Sequence, residues 1–363
     1  MLRYKQSVTD SLPKLSVVVP VYNSGGYLRV CLDSLAAQDC EGIEFICVND
    51  GSTDGSPDEL DAQSAADSRF RVIHQPNGGY GKAMNAGMAA ARGTYVGIVE
   101  PDDWVEPDMF STLLRLAEES GADIAKADYC GEKELKSRPG RKYADIVEGR
   151  VFAPTELPQF LLGSPAIWSG IYRREWLIER GIRFSETPRA SFQDLGFGMR
   201  TWALANRIVI TPRSLYHYRE DNPNSSVRRM EEGAWAVVRE VELQQDLFDS
   251  IPAEDRVRRS LLLRRVFHSF QADYRKRISE TLPDYLTSCS ELMQRLCPLE
   301  ELVPSCFRKR EWHDVQLLYR RPLDYPYLRK GGTSTMQRIF SIRKEGGKRC
   351  LRLFGMRFTL PLN

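Results

Sequence analysis

Two carboxylate-bearing turns concentrate the chemistry this sequence could do. Glu100-Pro101-Asp102-Asp103 follows a short apolar run, Tyr95 to Val99, and Asp50 stands in Asn49-Asp50-Gly51-Ser52 after another, Ile43 to Val48. Carboxylates this close repel one another and are best justified by a cation. A hard divalent ion, Mg²⁺ or Mn²⁺, accepts a few carboxylate oxygens and completes its shell with water and phosphate oxygens. Such an ion would neutralise charge on a departing diphosphate. Taken alone, Asp102 or Asp103 has a second use, capping a helix that starts near Pro107. A further acid, Asp194, follows Ser191-Phe192-Gln193 and precedes a helical stretch to Leu204. Read from the residues alone, it is a candidate helix cap. No Ser/His/Asp or Cys/His spacing suggests a covalent route.

The elements that must position these acids alternate along the chain. Leu15–Val19, Ile43–Val48, Phe70–His74, Tyr95–Val99 and Asp123–Ala127 read as strands, and Tyr27–Gln38, Ser56–Ala66, Gly81–Ala91 and Pro107–Ser120 as helices. This rhythm predicts a mainly parallel sheet covered on both faces. Ligands of such sheets bind outside the carboxyl ends of the strands. Asp50 and the Glu100–Asp103 turn both fall on that rim, which favours one site over two unrelated turns. Further on, Pro154–Leu162, Arg174–Glu179 and Asp194–Leu204 read as helices, and Ile208–Ile210 and Leu215–Tyr218 as two strands. From about Met230 to Cys297 the periodicity is helical.

An ordered series of short motifs covers the first half densely. It runs Val18-Val19-Pro20-Val21-Tyr22-Asn23, Asn49-Asp50-Gly51-Ser52-Thr53-Asp54, Asn77-Gly78-Gly79, Asn85-Ala86-Gly87, Gly93-Thr94-Tyr95 and Glu100-Pro101-Asp102-Asp103. In order and spacing it resembles the family 2 glycosyltransferases of GT-A fold. The resemblance is dense from Leu15 to about Cys130 and looser to about Ser226. It implies an α/β GT-A domain over 1–226; the helical periodicity beyond it marks an extension over 227–335. A basic C-terminal segment, 336–363, would close the chain, with a hairpin about Gly355.

The resemblance also implies roles. Pro20 and Tyr22 match the first nucleotide-contacting turn, and Asp50 the acid that bonds the base. Asp102 matches the central acid of the DxD motif and Asp103 lies beside it, both as metal ligands. Glu100 stands where the family usually has Asp, within reach of a ribose hydroxyl. Lys82 stands in for an Arg that many members carry where this chain has Met84. Asp194 matches the general base, with Gln193 where Glu is usual. Trp168 and Gln193 fall on the acceptor side, and Arg219 in Tyr216-His217-Tyr218-Arg219 belongs to the segment that closes over the diphosphate. The implied reaction is inverting transfer of a hexose from a nucleotide diphosphate sugar, UDP-linked by preference, to a saccharide or lipid-linked hydroxyl. A nucleotidyltransferase or dinucleotide enzyme is disfavoured, since the first turn lacks G-x-G-x-x-G and any Walker lysine.

Charge and cysteines set the surroundings. From Ser305 onward fourteen Lys/Arg stand against four acids, a net of +10 that leaves −8 for the rest of a +2 chain. A basic tail on an acidic body suits an anionic surface. Lipid-linked acceptors place that surface at the inner face of a membrane; nucleic acid is not the expected partner. Eight scattered cysteines without a CxxC read as reduced thiols of a cytoplasmic protein.

Overall fold

The computed structural model describes residues 12–134, 136–163, 166–188, 192–223, 235–274 and 282–325, and the backbone of 340–345, 348–353 and 356–360. Ser191 and the divisions at 226/227 and 335/336 lie outside the described residues.

Strands β1 (Leu15–Val21) and β2 (Ile43–Asn49) are buried along their whole length, as strands covered on both faces must be. Helix α1 (Leu28–Ala36) joins them and buries Leu28, Cys31, Leu32 and Leu35, one helical face. Next come α2 (Ser56–Ala66), β3 (Phe70–His74), α3 (Tyr80–Ala90) and β4 (Tyr95–Ile98). Helix α3 lies so close to the sheet that a Cβ on Gly87 would come within 2.3 Å of Val18 Cγ1. The chain continues through β5 (Trp104–Val105), α4 (Met109–Ser120), β6 (Ile124–Lys133), β7 (Lys136–Pro139) and β8 (Val151–Phe152). After α5 (Pro158–Leu162) come β9 (Gly170–Arg173), α6 (Arg174–Glu179), α7 (Gln193–Leu204) and β10 (Ile208–Arg219).

The sheet order is β3-β2-β1-β4-β9-β6-β10-β5, with β7 on β6 and β8 on β10. Strands β1 to β4 are mutually parallel. Short β9 runs antiparallel to both β4 and β6, so β6 and its parallel neighbour β10 share the direction of the first four. The mainly parallel expectation therefore holds for the long strands.

Two strands expected separately, Ile208–Ile210 and Leu215–Tyr218, are one: β10 runs through Pro212, with register shifts between Thr211, Ser214 and Tyr216. Proline cannot donate to the ladder and is tolerated in a sheet at such an irregularity. Neither Asp102 nor Asp103 caps α4, whose cap position is Asp108.

Helices α8 (Ala236–Glu242), α9 (Gln245–Ser250), α10 (Arg256–Tyr274), α11 (Leu282–Leu296) and α12 (Lys309–Arg320) follow. Their apolar residues join the core of the sheet in one continuous cluster. Polar ties reinforce the joint: Arg258 Nη1 donates to Ala203 O and Arg265 Nη1 to Gly163 O, each at 2.9 Å. The last strands, β11 (Phe340–Glu345), β12 (Lys348–Leu353) and β13 (Met356–Leu360), form an antiparallel sheet in that order. No helix among the described residues is long and apolar enough to cross a membrane.

Candidate active site

Strand β4 delivers the chain to the acid turn, and β5 turns it back onto β10. The turn is closed by Asp103 N–H donating to Glu100 O at 3.1 Å. The far end of β10 then fixes it. The Tyr216 hydroxyl donates to Asp103 Oδ2 at 2.7 Å and accepts from Glu100 N–H at 3.1 Å. Arg219 gives its backbone N–H to Asp103 Oδ1 and its Nε–H to Asp102 O, both at 2.8 Å. The Arg219 guanidinium lies over the rings of Tyr27 and Trp104, 4.9 and 4.8 Å from their centroids.

The three acids differ in surroundings. Asp103 is 1% exposed and both its oxygens are engaged within the chain. Burial, then the neighbouring charge of Asp102, pushes its carboxyl well above the usual range. Asp102 is partly buried and accepts Asn222 Nδ2–H on Oδ2 at 2.8 Å, leaving Oδ1 without a partner among the described residues. Glu100 accepts the Tyr80 hydroxyl at 2.6 Å, and burial pushes its carboxyl up to about 8. A hard divalent ion fits this donor set. Asp102 offers the available carboxylate oxygen, and Asp103 supports the turn from beneath.

The neighbouring rim is held as tightly. Asp50, 3% exposed, accepts Gln75 Nε2–H and Gly78 N–H on Oδ1 and Gly79 N–H on Oδ2, at 2.7, 2.9 and 2.8 Å. A carboxylate has about four acceptor sites, so one is left for a ligand N–H. Pro20 is buried at the end of β1, while Tyr22 beyond it is 54% exposed. Asn23 Oδ1 accepts Thr53 N–H and Asp54 Oδ2 accepts Gly25 N–H, which ties the two turns together. Lys82 is exposed in the first turn of α3, its stem lying over Gly78.

Asp194 sits in the first turn of α7, partly buried. Burial raises its carboxyl and the charge of Arg265, from α10, opposes that rise. The Tyr218 hydroxyl senses Asp103, Asp102, Glu100 and Asp194 together and, chiefly through burial, is held above its ordinary range. Gln193 is 1% exposed and donates to Thr187 Oγ1 at 2.9 Å. Trp168 is 8% exposed, stacked on Tyr216 and Tyr218 at 4.2 and 5.2 Å between centroids.

Sequence reading missed Tyr80, Tyr216 and Asn222 as the residues that hold the acid turn. Tyr216 and Asn222 carried a signal, as part of the late segment that runs from Tyr216-His217-Tyr218-Arg219 on through Asn222; Tyr80 carried none. It likewise missed Glu240, which the extension brings against α7: a Cβ on Gly196 would meet Glu240 Oε1 at 2.0 Å.

A parallel α/β sheet with acid-bearing turns gathered on its carboxyl rim defines the GT-A class of fold. The crystal structure of S. aureus TarS 1-349 in complex with UDP-GlcNAc matches with a TM-score of 0.75 over 96% of this chain and 99% of that one, at 18% identity. The family model described as glycosyl transferase family 2 matches residues 16–181. Glycosyltransferase GlyG of Streptococcus pneumoniae is 33% identical over 237 residues, 61% of this chain and 75% of GlyG. The uncharacterized glycosyltransferase EpsJ of Bacillus subtilis is 36% identical over 220 residues, 59% of this chain. The chain spans 63% of EpsJ's length. It belongs to glycosyl transferase family 2.

Proposed function

We propose that the chain transfers a hexose, with inversion, from a nucleotide diphosphate sugar to a hydroxyl of a saccharide or lipid-linked acceptor. The observation that carries this reading is the acid turn on the carboxyl rim, where Tyr216 and Arg219 hold Asp103 from within while Asp102 keeps one oxygen for a ligand. Asp50 and the exposed ring of Tyr22 would take the base, and Glu100 a ribose hydroxyl. A UDP-linked donor is favoured because TarS, of like fold, was solved with UDP-GlcNAc. Asp102, supported by Asp103, would hold Mg²⁺ or Mn²⁺, which when bound neutralises charge on the diphosphate. Lys82 and the terminal nitrogens of Arg219 would lie toward the same phosphates. Asp194 would take the proton of the acceptor hydroxyl, and its raised carboxyl suits a base working near neutral pH. Trp168 and Gln193 would shape the acceptor side from behind, since both are nearly buried.

Asp194→Asn tests the base. With Mn²⁺, a panel of UDP-sugars and a saccharide acceptor, we expect acceptor-dependent release of UDP to fall at least about 100-fold. Nucleotide affinity measured by calorimetry should stay within about twofold of wild type. Full turnover by the variant would remove Asp194 from that role.

A further inference from the structure

We propose that Cys130, Glu132 and His217 form a zinc site on strands β6 and β10, separate from the acid turn. The two strands are parallel neighbours with Cys130 opposite His217 in register. Glu132 lies two residues beyond Cys130, on the same face of β6. One donor atom from each of the three lies within 4.8 Å of the other two.

The surroundings of His217 favour a cation there. Its Nδ1 lies 2.8 Å from Glu132 Oε1 and its Nε2 2.9 Å from Glu106 Oε1. Both ring nitrogens therefore face carboxylate oxygens, which either a second ring proton or a metal would satisfy. With a metal on Nδ1, Nε2–H donates to Glu106, the usual carboxylate–histidine–metal arrangement. Cys130 is a free thiol, 7% exposed, with no hydrogen-bond partner among the described residues. Glu132 Oε1 also accepts the Ser137 hydroxyl, and Oε2 carries no partner among the described residues.

The donor chemistry selects the ion. Sulfur, imidazole nitrogen and one carboxylate suit zinc, whereas Mg²⁺ and Mn²⁺ prefer oxygen throughout. Bonds of about 2.0–2.2 Å to nitrogen and oxygen in a tetrahedron separate those atoms by roughly 3.3 Å. Glu132 would therefore swing outward by about half an ångström, and water would complete the shell. On binding, Zn²⁺ displaces the Cys130 thiol proton to solvent.

The site is distinct from the acid turn yet linked to it. Alternation along β10 puts Tyr216 and Tyr218 on the face of Trp168 and sends His217 to the other. There His217 stacks on Trp104 at 5.0 Å and 6°, and Trp104 carries the Arg219 guanidinium. Zinc would thus fix the end of β10 whose Tyr216 and Arg219 hold Asp103. Cys130, Glu132 and His217 act here as metal ligands, and Glu106 as the residue that orients His217.

The test uses the full chain, stripped with a chelator and titrated with Co²⁺ alone and then Zn²⁺. We expect one equivalent of Co²⁺ to raise a thiolate-to-cobalt charge-transfer band, and one equivalent of Zn²⁺ to abolish it. Cys130→Ser should lose the band and Asp102→Asn should keep it, which separates this site from the proposed diphosphate metal. Should Cys130→Ser not fold, Glu106→Gln serves in its place, with zinc affinity, measured against a chromophoric chelator, falling about 10- to 100-fold. Absence of the band, its persistence in Cys130→Ser, its loss in Asp102→Asn, or an unchanged zinc affinity in Glu106→Gln would each overturn the site.

Discussion

Asp102 and Asp103 are adjacent in the chain, yet β10 gives them different work. Asp103 faces inward onto the Tyr216 hydroxyl and the Arg219 N–H, while Asp102 keeps one oxygen for a ligand. Their truncations should therefore separate. Asp103→Ala strands the buried Tyr216 hydroxyl, at about 1–3 kcal/mol, and frees the part-buried Arg219 N–H; it should lower the melting temperature with or without nucleotide. Asp102→Ala should leave melting near wild type while removing the Mn²⁺ dependence of nucleotide binding. Equal effects on melting would contradict the division. The distinction was not legible in Glu100-Pro101-Asp102-Asp103, because the residues that create it lie more than a hundred positions away.

Glu240 makes a second argument at this scale. It is 1% exposed and accepts the Ser185 hydroxyl and Gln244 Nε2–H, with Arg200 and Asp194 as its charged neighbours. Burial raises its carboxyl from 4.5 to about 7. The folded state then binds the proton more tightly than the unfolded one, so the Glu240 contribution to stability is full below pH 4.5 and is lost as pH rises through 7. The ceiling is about 3 kcal/mol. Glu240→Gln should melt higher than wild type at pH 8 and alike at pH 4, and identical melting at both would show that the burial is without consequence.

At the scale of elements, what was legible follows apolar runs rather than strand length. Strands β1, β2, β3 and β4 announce themselves as apolar runs bounded by turns, β4 with only four residues. Strand β5 has two residues and β9, with four, reads Gly170-Ile171-Tyr172-Arg173, which shows neither a run nor a period. Yet β9 bridges the two parallel blocks and β5 aims the acid turn. The bridge begins at Gly170, where a Cβ would lie 2.8 Å from Ala125 O. The Asp50 turn shows the same dependence on backbone. Gly51 has φ +72°, and a Cβ there would meet Asn77 N at 2.7 Å. Gly51→Ala should destabilise by about 1–3 kcal/mol and push away the Gln75–Gly79 loop that Asp50 gathers. We expect nucleotide affinity, read by calorimetry, to fall at least about tenfold. Unchanged affinity would mean that the loop does not shape the nucleotide site.

For the molecule as a whole, the helical layer and the sheet share one core, so the extension belongs to the site's support. The C-terminal sheet raises a different question. Its three strands carry Arg343, Lys344, Lys348, Arg349, Arg352 and Arg357 against one acid, Glu345. The chain from Ser305 carries fourteen cations against four acids. Such a segment suits an anionic membrane surface, where each Lys or Arg contributes about 1 kcal/mol. The proposal that the enzyme works beside lipid-linked acceptors thus has a direct test. In cosedimentation, the full chain should bind vesicles containing phosphatidylglycerol, release from them as salt rises, and ignore neutral vesicles. The double change Arg352→Glu with Arg357→Glu, opposite one another across β12 and β13, should weaken that binding more than tenfold while UDP release continues. If the doubly reversed chain binds as well as wild type, the C-terminal sheet is not the membrane contact.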